Sequence, residues 1–475
     1  MRKSFIFFGL IFLATLVAGN NTTESKNTKD LLSAINIFSY PNQNELNDCI
    51  YPDSAIEVTP LSTTGVNDNF TNFRDLQWLK PIAKKNKVLL FGEWHYERRI
   101  YNLCSRIFFA LNTFDYYPLI VTEYPYSYTP FVDYFVRIKQ DKRAYDYYKN
   151  IIYNFSPSVE DSIFFEDVRK WNKNHPKKRL HIGFHDIEHD YKTTLKLIIV
   201  PYFQKIDSSF NLDVDTLTIL NLEDLTNKLE VKLEIAKQKN LIGKFPFITT
   251  QYIKCVLENL HSTFFAYRYG AAFNYYRQHA MIRNLTDERF LGKYLKNSKV
   301  MFHSGGYHTT NHFFYPEEAN FYREGCYLNF DYDPTRGKTY SVLCRGYALS
   351  FGKMVNANVD SLLFNKYTFY GKMLKSFQKA YEQGLTSPDR YYLMNWSELN
   401  NFDKLVFNLA YKNKHSPMRV RKVHWDLIFT NAHKKSKEEY TDMIGKKDFY
   451  SRYDEVILIP RSAIIRAKKR KSTEP

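Results

Sequence analysis

The side chains able to do chemistry in this sequence are Glu93, His95, Glu123, Asp186, Arg277 and His308. Glu93 and His95 stand two residues apart, so in extended backbone they point the same way and can share one water or ion. A neutral imidazole beside a carboxylate works as a general base near neutral pH, because its ordinary pKa is about 6.5 and the carboxylate stabilises the imidazolium it becomes. His95 is therefore the expected base. Glu93 or Glu123 would orient it, and His308 would stabilise a developing oxyanion or donate the leaving-group proton. Arg277 would clamp an acyl or phosphate oxygen. The same histidines and carboxylates also suit zinc, manganese or iron, which would make a divalent metal the cofactor and its bound water the nucleophile. The spacing decides neither way, since the His-Glu-x-x-His helix signature is absent, and metal-independent or weakly metal-assisted chemistry is the preferred reading. No Gly-x-Ser-x-Gly elbow exists, and Cys104 lies in an apolar helical stretch with no base beside it in sequence, so it is expected to be a buried apolar residue.

These groups must be brought together, and the surrounding pattern shows how. Lys87–Phe91 runs into Gly92-Glu93-Trp94-His95, and 117–122 runs into Glu123-Tyr124-Pro125. Leu180–Phe184 runs into His185-Asp186-Ile187-Glu188-His189-Asp190, and 299–302 runs into His303-Ser304-Gly305-Gly306-Tyr307-His308. Helical sequence follows the first two runs, over about 97–114 and 129–150. Apolar strands alternating with helices predict an α/β fold, a mostly parallel sheet with helices on both faces. In each unit the reactive groups follow the carboxyl end of the strand, which is where open α/β sheets hold ligands. A lone polar residue there usually caps a helix, whereas coincidence over four strands marks an active site for a small-molecule substrate.

A polar, helical insertion separates the third and fourth units over about 205–298. Within it, Leu222, Leu225, Leu229, Leu233 and Ala236 recur at three- and four-residue steps, the mark of an amphipathic helix over 222–239. Further helical pattern covers 247–269 and 271–295. The expected organisation is a signal peptide at 1–19, a lead-in at 20–75, the α/β core at 76–345, and a helical flank with a final strand at 454–459 and a basic tail at 346–475.

With 475 residues, 44% hydrophobic and only 17 Gly and 17 Pro, collagen-like, coiled-coil and disordered classes are excluded. The net charge of +17 is scattered, apart from a tail cluster at Arg466, Lys468, Lys469, Arg470 and Lys471, and no nucleic-acid-binding motif accompanies it, so no nucleic-acid partner is expected. Arg2 and Lys3, the apolar run 5–17, then Ala18 and Gly19 form a signal-peptide pattern. The run is shorter than the ~20 residues of a bilayer span, so the mature chain is expected without a membrane span and exported to a periplasmic, extracellular or lumenal compartment. Cys326 and Cys344 fall opposite each other if 326–344 forms a hairpin turning at Thr335, an arrangement that allows a disulfide in an oxidising compartment. Oligomeric state is left open by the sequence.

Gly92-Glu93-Trp94-His95 after a strand, with Glu123 ending the next, resembles the erythromycin esterase-like branch of the superfamily that also holds ChaN-type haem-uptake and TraB/Tiki-like proteins. Trp171-Asn172 through Gly183-Phe184-His185-Asp186, the helix segment Tyr276-Arg277-Gln278-His279-Ala280-Met281, the strand ending in His308 and the run 453–460 are similar to further family segments, in order. The Glu-x-His spacing and the Gly305-Gly306-Tyr307-His308 form are those of the ChaN-like and TraB-like branches, and Gln278 stands where an Asp is usual. The resemblance implies a hydrolase of α/β fold acting on an ester, lactone or related bond. Its branches imply the alternatives, a haem- or iron-binding protein or a metal-dependent peptidase.

Overall fold

The computed structural model describes residues 59–95, 97–137, 158–238, 246–312, 323–346 and 450–459, with the short pieces 37–38, 242–243, 348–350, 391–393, 417–421 and 462–463. The signal-peptide pattern, the basic tail cluster and most of the lead-in and C-terminal flank lie outside the described residues. Strands are β1 (Ile37–Phe38), β2 (Thr59–Pro60), β3 (Val88–Glu93), β4 (Leu119–Pro125), β5 (His181–Asp186), β6 (Val300–Gly305), β7 (Thr339–Gly346), β8 (Ala348–Ser350), β9 (Tyr391–Leu393), β10 (Met418–Arg421), β11 (Glu455–Ile459) and β12 (Ser462–Ala463). The main helices are α1 (Leu79–Lys85), α2 (Arg98–Phe114), α3 (Thr129–Arg137), α4 (Val159–Asn174), α5 (Leu222–Gln238), α6 (Thr250–Arg268), α7 (Phe273–Thr286), α8 (Gly292–Asn297) and α9 (Glu324–Phe330).

Eight strands form the central sheet in the order β2-β10-β11-β7-β3-β6-β4-β5, and β1-β9-β8-β12 form a small second sheet. From β11 to β5 every neighbouring pair of the central sheet is parallel, while β10 runs antiparallel to β11 and β2 at one edge. The expected final strand therefore does return to the sheet, as β11 beside β7.

Strand runs read as almost wholly apolar because both faces of the sheet are covered. Leu89, Phe91, Ile120, Ile182 and Met301 face the larger core, shared with Leu103, Ile107 and Phe108 of α2 and Val168 of α4. The alternate residues Val88, Leu90, Val121, Val300 and Phe302 face a smaller core with Leu285, Leu295 and Leu328. Each such side chain, fully buried, stabilises the fold by about 1.5–3 kcal/mol relative to exposure. Helix starts follow local signals: Ser158 accepts from the Asp161 N–H at 3.2 Å to open α4, and Thr249 from the Tyr252 N–H at 3.2 Å to open α6. The amphipathic pattern of the insertion is realised as α5, with Leu222, Leu229 and Leu233 buried.

The hairpin expected over 326–344 is not formed. Cys326 lies in helix α9 and Cys344 in strand β7, both as buried free thiols, so the proposed bridge is absent. A short apolar stretch fits strand or helix equally by pattern, and here the tertiary setting decides. The amide N–H of Tyr327 bonds the Arg323 carbonyl, Cys326 Sγ lies 3.2 Å from the Thr310 carbonyl, and Glu324 is fully buried. Among the described residues no helix is long and apolar enough to cross a membrane.

Candidate active site

Strands β3, β6, β4 and β5 are neighbours and parallel, so their carboxyl ends lie side by side. Glu93 is the last residue of β3 and Asp186 the last of β5, while Glu123 sits near the end of β4. After β6 the chain turns tightly over Gly306–Thr309, which carries His308 back toward the sheet edge. Arg277 enters from α7 in the insertion. All six residues named from the sequence thus meet at one place.

Glu93 lies between two imidazoles. Its Oε1 is 2.8 Å from His95 Nδ1, and its Oε2 is 2.7 Å from His303 Nε2. Burial alone would raise the Glu93 pKa, but the His303 and His95 rings outweigh it and hold the carboxyl down at about 2. His303 is in turn held well above the ordinary imidazole range, burial being outweighed by Cys104 and Glu93. The His95 side chain is 42% exposed, far more than its partners, and its pKa is raised because Glu93 and Glu123 outweigh burial and the Arg277 charge.

Glu123 faces both candidate imidazoles of the mouth. One oxygen is 3.8 Å from His95 Nε2 and the other 3.6 Å from His308 Nε2. The first oxygen also accepts from Ser304 Oγ at 2.7 Å and the Gly305 N–H at 2.7 Å. Gly305 leaves this space open: a Cβ on it would lie 3.0 Å from His95 Nε2 and 3.3 Å from Glu123 Oε2, so either side chain would have to shift slightly. Arg277 grips Asp186 through Nε at 2.9 Å and Nη2 at 2.8 Å, and also donates to Glu123. The clamp expected to hold a substrate oxygen is instead engaged by two protein carboxylates. Burial would raise the pKa values of Glu123 and Asp186, yet His308 and Arg277 take the former well below the usual range and Arg277 and His189 do the same for the latter. Asp186 reaches outward through His189 Nε2 at 3.0 Å, whose Nδ1 takes the Tyr267 hydroxyl at 2.8 Å.

His308 is held from behind. Its Nδ1 is 3.1 Å from Glu324 Oε2, and its Nε2 lies 3.4 Å from Arg277 Nη1. Glu324, at the start of α9, also accepts from the Gln278 amide, and its second oxygen faces His185 Nε2 at 3.7 Å. Burial opposes its charge, but the His308 and His185 rings keep the Glu324 pKa at about 2.

The carboxylates do not form a convergent metal cage. Each oxygen of Glu93 and Glu123 already faces a protein N–H, O–H or imidazole, and a guanidinium occupies the space between Glu123 and Asp186. Among the described residues a close cluster of ligand atoms occurs only at Cys255, Glu258 and Asp287, and there Arg289 bridges the two carboxylates.

Sequence reasoning missed Glu324, His303 and His185 as members of this site. His303 and His185 lie within the strands, where a lone histidine carries no role by itself. Glu324 gave no signal, because its neighbours Arg323 and Gly325 belong to no motif. Cys104 is buried as expected, yet it does have a base beside it, His303 from a distant strand; burial outweighs that ring and pushes the thiol pKa up.

No protein-family model and no curated protein matches the chain. Solved structures do. A Bacillus cereus protein is similar at 14% identity and TM-score 0.52, covering 90% of this chain and 100% of that one. A succinoglycan biosynthesis protein is similar at 12% identity and TM-score 0.51, covering 90% of this chain and 99% of that one. A mutant of erythromycin esterase EreC in its open conformation is similar at 8% identity and TM-score 0.48, covering 87% of this chain and 99% of that one. At such identities likeness speaks to architecture alone. The α/β sheet of the described residues is accompanied by a likeness in overall fold to the first two structures.

Proposed function

We propose that the protein is an exported, erythromycin esterase-like hydrolase that activates water against an ester, lactone or related acyl bond without a metal. The observation that carries this reading is His95, a partly exposed imidazole held through Nδ1 by a buried carboxylate and flanked at Nε2 by a second one.

With Nδ1–H donated to Glu93, the neutral His95 ring presents the Nε2 lone pair to the mouth of the site. That nitrogen takes a proton from water as the water attacks the acyl carbon, and Glu93 and Glu123 stabilise the imidazolium formed. His308, on the other side of Glu123, faces the developing charge and supplies a proton to the leaving oxygen. Arg277 acts as a positioning residue: it fixes Glu123 between the two imidazoles and balances Asp186. The carboxyl-edge position of the set and the motif resemblance both support the reading. The amino-terminal signal pattern supports export.

The test is hydrolysis of a panel of simple esters, lactones and peptides by purified mature protein and by His95→Gln, with metal content measured on both. Ester or lactone turnover that falls at least a hundredfold in the variant, with no stoichiometric metal in either, is the expected result. Turnover unaffected by the substitution sinks the assignment of His95, and metal lost together with activity moves the chemistry to a metallohydrolase.

A further inference from the structure

Glu324 is a buried carboxylate with no place in the chemistry assigned to His95. It is fully buried, so neither substrate nor bulk water reaches it, and it comes from α9 rather than from the strand ends. A carboxylate buried this way is costly unless partners compensate its charge. Its partners are specific. Oε2 accepts from His308 Nδ1 at 3.1 Å and from the Gln278 amide, and Gln278 adjoins Arg277 on α7. Oε1 faces His185 Nε2 at 3.7 Å, beyond hydrogen-bond distance, and both of those atoms lack a hydrogen-bond partner. The charge of Glu324 is therefore directed mainly at one imidazole.

We propose that Glu324 is the positioning residue of the second acid–base group: it holds His308 by Nδ1 so that Nε2 is turned toward Glu123 and Arg277. An imidazole with its Nδ1–H fixed on a carboxylate has only Nε2 to offer to a substrate, and it keeps a proton there more readily than a free ring does. The groups facing His308 are Glu324 from α9, Glu123 from β4 and Arg277 from α7; the two carboxylates favour the charged ring, Arg277 opposes it, and the balance is upward. With Glu324 neutralised, Arg277 and burial oppose the His308 charge with only Glu123 in favour. The role rests on the hydrolase reading, but the state of the His308 ring does not.

The experiment is nitrogen-15 NMR of the histidine side chains of the full chain, with His308→Gln used to assign the His308 signals, in wild type and in Glu324→Gln. Expected in the wild type is a neutral His308 with its proton on Nδ1 and a titration midpoint above the ordinary ~6.5. Glu324→Gln should lower that midpoint by about one pH unit or more. A neutral wild-type ring protonated on Nε2, or a midpoint unmoved by the substitution, overturns the proposal, and the wild-type spectrum decides even if the variant fails to fold. On any ester the protein hydrolyses, Glu324→Gln should pull the alkaline limb of kcat down in pH with KM changed less than threefold. A limb that does not move overturns the proposal. Absence of all turnover overturns the hydrolase reading and leaves the NMR result standing.

Discussion

Two glutamate–histidine pairs face each other across Glu123, and they differ in what stands behind them. Glu93 is bonded on both oxygens by imidazoles, His95 at 2.8 Å in front and His303 at 2.7 Å behind. Glu324 bonds one imidazole at 3.1 Å, and its rear histidine, His185, stops at 3.7 Å. The front rings differ as well, since the His95 side chain is 42% exposed and that of His308 is 14% exposed. One residue pairing thus serves two purposes. At Glu93 the carboxylate is locked from behind and its front ring is open to water, which suits a base that must trade protons with solvent. At Glu324 the charge is turned toward a sheltered ring, which suits a donor whose proton must survive until a leaving group arrives.

Unequal loss of the two imidazoles is the largest effect expected. His95→Ala should cost roughly a hundred- to ten-thousandfold in kcat/KM on a cleaved ester, the usual worth of a general base, and His308→Ala roughly ten- to a hundredfold. Equal losses would break the comparison. Removing the common brace comes next. Arg277→Met leaves Glu123 and Asp186 buried without their cation and should lower unfolding stability by about 3–5 kcal/mol in urea titrations. A loss under about 1 kcal/mol would show that the brace is dispensable.

The pH profile sharpens the contrast further. His95 must be neutral to act, and its pKa lies above the ordinary imidazole value, so activity should be absent in acid and rise through a limb centred above ~6.5. A limb at or below that value in kcat/KM would contradict the pairing with Glu93 and Glu123. The smallest effect is steric. Gly305→Ala places a methyl 3.0 Å from His95 Nε2 and should lower kcat about three- to tenfold with stability nearly unchanged, while His308 keeps its wild-type NMR signature. Unaltered kcat would place the working position of His95 elsewhere.

The sheet was legible because its strands are buried on both faces and so read as unbroken apolar runs: Val88–Phe91, Leu119–Val121 and Val300–Phe302 needed no partner to be recognised. The six site residues were legible because they follow those runs directly, or, for Arg277, because a motif resemblance marked the helix. What the sequence withheld is what folding alone brings together. Glu324 becomes part of the site only through contact with His308 and Gln278, and nothing in the stretch Arg323-Glu324-Gly325 announces it. The engagement of Arg277 by Glu123 and Asp186 depends on distances between three separate elements, which sequence spacing does not carry. The misread hairpin at 326–344 has the same origin, since seven residues of apolar and polar alternation cannot tell a strand from a helix that is pinned by a buried glutamate.

The order of strands bears on how the molecule comes into being. β3 stands at the centre of the sheet, yet its two neighbours are β6 and β7: Val88 pairs with Val300 and with Thr339, roughly two hundred residues and more downstream. During synthesis both edges of β3 wait unpaired until most of the chain has emerged, an exposure that invites aggregation and slow assembly. Truncated chains ending before β6 carry Glu93, His95 and Glu123 but lack the strand that lies between them. The strand-end cluster of Glu93, His95, Glu123 and His308 therefore cannot be complete until the chain has been made beyond β6.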